Sequence, residues 1–292
     1  MIMAEKRKRI ALFVGQADEW YQSTIISGFL ERAFEHDLDA CIFSMYRKYQ
    51  DTAERELGES NIFSLMRPED YDGAVILEDS IQTAGAAKGL EERLHEQFGD
   101  KPVLVLEQDS PYFPYIFTDG YSAMVELVDH LIEVHGYTDI AFLAGKKWHK
   151  HSITRANAYR AAMKAHGLEP SEDRTIYGDF WYSSGEVCAD QLMGKGKALP
   201  QAVVCANDAM AIGLCNAFER RGVRIPQDVA VVSYDSTYEG QTSPKPITSS
   251  LVPAVELGHY AADFVYNSLC GKQTPPFEYK PKLVPNSIYA AE

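Results

Sequence analysis

The chain has 292 residues, a length that suggests about two domains, and its 46% hydrophobic and 24% charged residues are those of an ordinary globular protein. That composition excludes a disordered or collagen-like chain. With 28 Lys and Arg against 42 Asp and Glu, the net charge is −14, so the surface repels phosphate backbones and is a poor grip for DNA or RNA. The basic run Lys6-Arg7-Lys8-Arg9 precedes the first apolar run and reads as a solvated leader. The five cysteines are odd in number and form no CxxC, and three sit in apolar runs, the pattern of reduced, buried thiols in a cytoplasmic protein. No apolar stretch is long enough to span a bilayer, and Ile10–Val14 is too short for the core of a signal peptide.

Strand and helix alternate along the chain. Ile10–Val14 is a continuous apolar run, as in a strand covered on both faces, and Ile25, Ile26, Phe29, Leu30, Ala33 and Phe34 then recur at helical spacing. Cys41-Ile42-Phe43 reads as a second strand. A helix is expected from about Asp51 to Met66, a strand at Gly73–Leu77, a helix striped by Leu90, Leu94 and Phe98, and a strand at Pro102–Leu106. Met124, Leu127, Val128, Leu131 and Ile132 stripe a long helix that Gly136 closes. The rhythm resumes with strands at Ile140–Leu143, Thr175–Tyr177, Ala202–Cys205 and Val229–Val232. Between them lie helices striped by Ala158, Ala161, Ala162 and Ala165, then running from about Ser184 to Met193, then striped by Met210, Leu214, Cys215 and Phe218. A last helix follows Pro253. Repeated strand–helix units predict parallel sheets with right-handed crossovers, too many strands for one small sheet. The late Pro-rich segments Ser243–Pro246 and Thr274–Pro276 read as connections between two lobes.

Several chemistries lack their signatures. There is no GxxxxGK[ST], no GxGxxG after the first strand, no HExxH and no GxSxG. His149-Lys150-His151 offers two imidazoles without a third ligand, and reads as a loop with histidines rather than a metal site. No nucleophile–base pair stands out, so no catalytic residue, metal or cofactor is expected. What the sequence has instead is a distribution. In open α/β sheets ligands bind beyond the carboxyl ends of the strands. The segments there are polar and aromatic: Gln16-Ala17-Asp18-Glu19-Trp20-Tyr21, Glu78-Asp79, Lys146-Lys147-Trp148-His149 and Asp179-Phe180-Trp181-Tyr182. All three tryptophans fall in these segments and are expected in loops. Flat aromatic faces among carboxylates and amides suit a ring carrying hydroxyl groups, such as a sugar or sugar-like metabolite.

Cys205-Ala206-Asn207-Asp208-Ala209-Met210-Ala211-Ile212-Gly213, followed by Gly222-Val223-Arg224-Ile225-Pro226-Gln227-Asp228-Val229 through Ser233-Tyr234-Asp235, resembles the hallmark of the LacI/GalR regulators' effector-binding module. His130-Leu131-Ile132 with Gly136-Tyr137 and Ile140–Gly145, Ser152–Leu168 with Arg155, and Gly178-Asp179-Phe180 are similar to further motifs of that family, so the resemblance covers about residues 8–288. It implies an α/β fold of two Rossmann-like lobes, each a parallel sheet flanked by helices, joined by three crossovers with the effector between them (the periplasmic-binding-protein-like type I fold). With crossovers near 134–136, 244–249 and 274–280, the lobes are expected at 1–134 with 248–274 and at 135–247 with 275–292.

The resemblance also implies site residues. Arg155 matches the arginine that grips the effector, Asp235 the strand-end aspartate that accepts from ligand hydroxyls or amines, Asn207 the first polar residue of the NDxMA motif and Phe180 the stacking aromatic. Trp181 beside it, Trp148, Asp18, Trp20 and Tyr21 in the first loop, Asp79 after the third strand, and Asp119 complete the expected ligand-binding set. Asp208 reads as structural. Ser233-Tyr234 stands where the family has glycine-phenylalanine, and Ala158-Tyr159 where it has another GF pair. The family's N-terminal helix-turn-helix has no counterpart in these residues, so the expectation is the cytoplasmic sensor of a regulator, signalling by lobe closure, without DNA contacts of its own. The alternatives are a sensor coupled to another output such as a diguanylate cyclase, and a transport-type solute-binding protein. A homodimer is expected, with Ile62, Phe63, Leu65, Met66, Leu90, Leu94 and Phe98 as the candidate face.

Overall fold

The computed structural model describes residues 6–46, 52–194, 196, 198–245 and 247–284. The chain runs β1 (Arg9–Gly15), α1 (Trp20–Glu35), β2 (Asp39–Met45), α2 (Ala53–Glu59), β3 (Gly73–Leu77), α3 (Ala86–Gln97), β4 (Val103–Leu106) and β5 (Tyr115–Ile116). It continues α4 (Gly120–Glu133), β6 (Ile140–Ala144), α5 (Lys150–Ala165), β7 (Thr175–Tyr177), α6 (Ser184–Leu192), β8 (Ala202–Cys205), α7 (Asp208–Arg220) and β9 (Ala230–Asp235). Last come α8 (Tyr238–Thr242), β10 (Thr248–Leu251), α9 (Ala254–Leu269) and β11 (Leu283–Val284). These elements form two compact units, one from the described residues of Met1–Thr118 and Pro253–Glu278, the other from those of Asp119–Val252 and Tyr279–Glu292. The N-terminal end of the first expected lobe, residues 1–5, and the C-terminal end of the second, residues 285–292, lie outside the described residues, as do Asp51 and Pro246.

In the first unit the strand order is β2-β1-β3-β4-β5, all parallel. β1 lies inside the sheet, so Ile10, Ala11, Leu12, Phe13 and Val14 are all buried, which is why that segment reads as apolar without alternation. On one face, Phe13 stacks on Phe43 at 5.3 Å and meets Phe63 edge-on at 5.7 Å. On the other, α1 and α9 cross in direct backbone contact. A side chain at Gly28 would collide with the Val255 carbonyl, and one at Gly258 with that of Ile25.

In the second unit the order is β11-β10-β9-β8-β6-β7, parallel except for the antiparallel β11. α4 and α5 pack together, and Met124, Leu127, Val128 and Leu131 of α4 are fully buried. α6 and α7 also meet at backbone distance. Gly213 faces the Tyr182 carbonyl, where a Cβ would collide, which explains the glycine of the Cys205–Gly213 motif.

The structure corrects several expectations. The division between units falls at Thr118–Asp119, not near 134, because the apolar stripe of α4 is buried in the second unit. The segment 248–252, expected in the first lobe, is β10 and pairs with β9. Neither β5 nor β10 was foreseen: one is two residues long, and the other, Thr-Ser-Ser-Leu, lacks an apolar run. The helix expected to Met66 ends at Glu59 and tightens into a 3₁₀ turn over Ser60–Leu65. Trp20 is not a loop residue; it opens α1. The candidate dimer face is mostly core: Phe63, Met66, Leu90, Leu94 and Phe98 are buried, and only Leu65 of that set is well exposed, at 68%.

Candidate functional site

Within the second unit, the segments after β6, β7, β8 and β9 lie at the carboxyl end of one parallel sheet. α5 starts there, and Arg155, one and a half turns in, is buried. Its Nη1 donates to the Ala206 carbonyl at 2.7 Å, and its guanidinium carbon sits 4.1 Å from the centre of the Tyr234 ring. Gly120 lets it approach: a Cβ there would lie 3.3 Å from Arg155 Nε. That Nε is buried with no hydrogen-bond partner among the described residues. Asp235 ends β9 in a left-handed backbone conformation, φ 117°. Burial pushes its carboxyl up to about 8, against the opposing pull of Arg155.

Asn207 is the N-cap of α7. Its Oδ1 accepts from Met210 N at 3.0 Å and its Nδ2 donates to the Phe180 carbonyl at 3.0 Å, so this side chain ties the β8 and β7 ends together. Phe180 itself adopts φ 71°, and its ring lies directly on Gly145, where any Cβ would overlap it. His149 meets that ring edge-on at 5.0 Å. Trp181 packs edge-on against Tyr182 at 5.1 Å, and its backbone N donates to Asp179 Oδ1 at 3.0 Å. Trp148 is 64% exposed with the Lys146 ammonium 5.5 Å from its ring, so it does not wall an enclosed site within this unit. Asp119 caps α4, accepting from Ser122 N at 2.9 Å.

Asp208 is wholly buried and structural. It accepts from Thr237 N at 2.6 Å, from the Thr237 hydroxyl at 2.9 Å, from the Ser249 hydroxyl at 2.9 Å and from the Ser233 hydroxyl. Burial raises its carboxyl above the usual range while these four donors pull it down. Ser233, the departure from the family's glycine, is one of those donors. The same carboxylate holds the turn that follows Asp235.

In the first unit, Asp18 is exposed just before α1, and Trp20 and Tyr21 open that helix half-buried. The loop after β1 is pinned by Ala17 N donating to the Ser44 hydroxyl at 3.0 Å and Gly15 N to the Ser80 hydroxyl at 2.8 Å. Glu78 and Asp79 form a 3₁₀ turn after β3. Burial, then Glu91, holds the Glu78 carboxyl up at about 8. Left-handed non-glycine residues gather at these strand ends: Gln16, Glu107, Phe180, Asp235 and Ser236. Such strain is characteristic of functional loops.

Residues 128–286 match the family of periplasmic binding protein-like domains. The chain belongs to that family. Curated relatives of this periplasmic binding protein-like chain include the HTH-type transcriptional regulator DegA of Bacillus subtilis, 27% identical over 233 residues that make up 79% of this chain and 66% of DegA. Another is the HTH-type transcriptional repressor PurR of Pasteurella multocida, 29% identical over 170 residues, 58% of this chain and 49% of PurR. The chain thus spans about half to two thirds of the length of such relatives, which are regulators rather than enzymes. A solved structure of a dimeric Lac repressor with a C-terminal deletion superposes with a TM-score of 0.75 at 21% identity, covering 95% of this chain and 97% of that one. Both sheets of this periplasmic binding protein-like chain therefore have the expected LacI-type architecture. Among the described residues no helix is long and apolar enough to cross a membrane, and no group of three or more His, Cys, Asp or Glu could hold a metal ion.

His151 and Ser152, which the sequence offers as a histidine loop and as the start of the Arg155 motif, are not in the expected ligand-binding set. Both are buried in the first turn of α5, four and three residues before Arg155. Those helical spacings put them on the face of Arg155 and are the signal that could have found them.

Proposed function

We propose that this chain is the effector-binding sensor domain of a LacI-type transcriptional regulator, cytoplasmic, dimeric and non-catalytic, which takes a small polar ligand of the sugar type and signals by lobe closure. The observation that carries this reading is the strand-end face of the second unit, where the buried Arg155 keeps an unpartnered Nε and where the left-handed Asp235 and Phe180 also lie. A guanidinium forks onto paired oxygens, a strand-end carboxyl takes hydroxyl groups, and an aromatic face covers the apolar side of a ring. Asp18, Trp20, Tyr21 and Asp79 of the first unit are further candidates for ligand binding. Relationship to DegA and PurR supports a regulator, and the structural likeness to a dimeric Lac repressor supports pairing of two copies.

The test is a thermal-shift screen over sugars, nucleosides and amino acids. A ligand that binds only the folded protein stabilises it by about 2.7 kcal/mol at a hundredfold excess over Kd. Sugars are expected to raise Tm, and Arg155→Met to abolish the rise. A rise with nucleosides or amino acids alone would overturn the sugar assignment, and no rise in any class would overturn the sensor reading.

A further inference from the structure

The segment between β6 and α5 runs counter to the rest of the protein. In a chain of net charge −14, Lys146-Lys147-Trp148-His149-Lys150-His151 holds three lysines and two histidines and no acid. α5 begins inside this segment, and its first turn is Lys150, His151 and Ser152. A helix N-terminus leaves its first amides without intrahelical acceptors and carries partial positive charge. Ser152 is fully buried, yet its hydroxyl has no partner among the described residues, and three residues on, the Nε of Arg155 is likewise buried and unpartnered. Buried polar groups in native proteins are almost always satisfied, so two neglected donors on one helix face point to a missing acceptor.

The neighbouring carboxylates in this unit are turned elsewhere. Asp119 caps α4, and Asp179 accepts from Trp181 N at 3.0 Å and the Ser184 hydroxyl at 2.5 Å. Asp208 is held by its four donors, and burial raises the carboxyl of Asp235, which favours its neutral, donating form.

We propose that the ligand of this site carries an anionic oxyacid group, a phosphate or a carboxylate, seated at the N-terminus of α5 against Ser152 and Arg155, with Lys146 and Lys150 supplying the surrounding positive charge. The inference rests on the sensor reading above and narrows its ligand class from neutral sugars to acidic ones. The ring face is left to Phe180, and the acid group fixes orientation by charge-assisted hydrogen bonds. Each such bond is worth about tenfold or more in affinity.

Calorimetric titration with matched pairs tests it: glucose with glucose 6-phosphate and with glucuronate, fructose with fructose 6-phosphate, and inorganic phosphate alone as a competitor. At least one acidic member is expected to bind about tenfold or more tightly than its neutral partner. That preference should shrink in Ser152→Ala and in the charge-removing variant Lys146→Gln/Lys150→Gln. The phosphate and carboxylate arms identify which oxyacid fits. Neutral sugars binding as well as their acidic partners would overturn the inference and leave the sensor reading standing. No binding by any member, together with no response in the broader thermal screen, would overturn both. A preference that survives both variants would place the acid group elsewhere and overturn the assignment to α5.

Discussion

The guanidinium of Arg155 lies over the ring of Tyr234, 4.1 Å from its centre, so the arginine that the sequence motif marks for the ligand is held by an aromatic on β9. The contact fixes a long side chain that would otherwise lose rotamer entropy on binding. Replacing the ring by Tyr234→Leu removes this support and is expected to cost about 1–2 kcal/mol of stability. Ligand affinity should fall with it, whereas Tyr234→Phe keeps both. Urea denaturation and titration of the same variants check the two parts.

Asp208→Ala strips the acceptor from Ser233, Ser249 and both Thr237 donors at once. Each orphaned buried donor costs on the order of 1 kcal/mol or more, so the loss is expected to be roughly 3 kcal/mol or greater. The urea midpoint should drop accordingly without a change in m-value.

Two helical glycines, one at the α1–α9 crossing and one in α2, are expected to respond in opposite ways. Gly258→Ala drives a methyl into the Ile25 carbonyl and is expected to destabilise by about 1–3 kcal/mol. Gly58 in α2 has open space around it, and Gly58→Ala should stabilise by up to about 1 kcal/mol through helix propensity. Thermal melts of the two variants decide the matter.

Glu78 gives a pH dependence of definite sign. Its carboxyl is held up at about 8 when folded, against an ordinary value of 4.5, through burial and the neighbouring Glu91. The native state therefore binds the proton that the unfolded chain has released. The contribution is fully present below about pH 4.5 and is lost as pH rises toward 8. Glu78→Gln should flatten the fall of Tm between these limits; an unchanged slope would contradict it.

The acidic surface leads to an expectation about nucleic acid. At about 0.15 M salt, these 292 residues with net charge −14 are expected to give no sequence-selective gel shift.

The proposed pairing of two copies has little apolar surface to use on the α2 side. With Phe63, Met66, Leu90, Leu94 and Phe98 in the core, Leu57 and Leu65 are, among the described residues of α2 and the 3₁₀ turn after it, the exposed large apolar side chains. Leu65→Glu is expected to shift light-scattering mass at micromolar concentration from dimer toward monomer. A strict monomer before and after substitution would refute the pairing.

Much of the fold was legible in the sequence because a buried parallel strand needs an unbroken apolar run. Ile10–Val14, Gly73–Leu77, Ile140–Leu143 and Ala202–Cys205 have one, and each is a strand. The family motif marked Arg155, Asn207 and Asp235, since helix caps and strand-end loops are local in sequence. Packing decided what was not local. Stripes such as Leu90–Leu94–Phe98 look alike whether they face a core or a partner, and only the arrangement around them buried these. The helix 120–133 is contiguous with the first unit in sequence, but its apolar face is spent against α5 and the second sheet. β10 shows no apolar pattern, and its Ser249 hydroxyl serves hydrogen bonds instead, to Asp208 and from Ser236 N. The same holds for Ser152: burial of its hydroxyl without a partner depends on what surrounds the first turn of α5, which spacing along the chain does not encode.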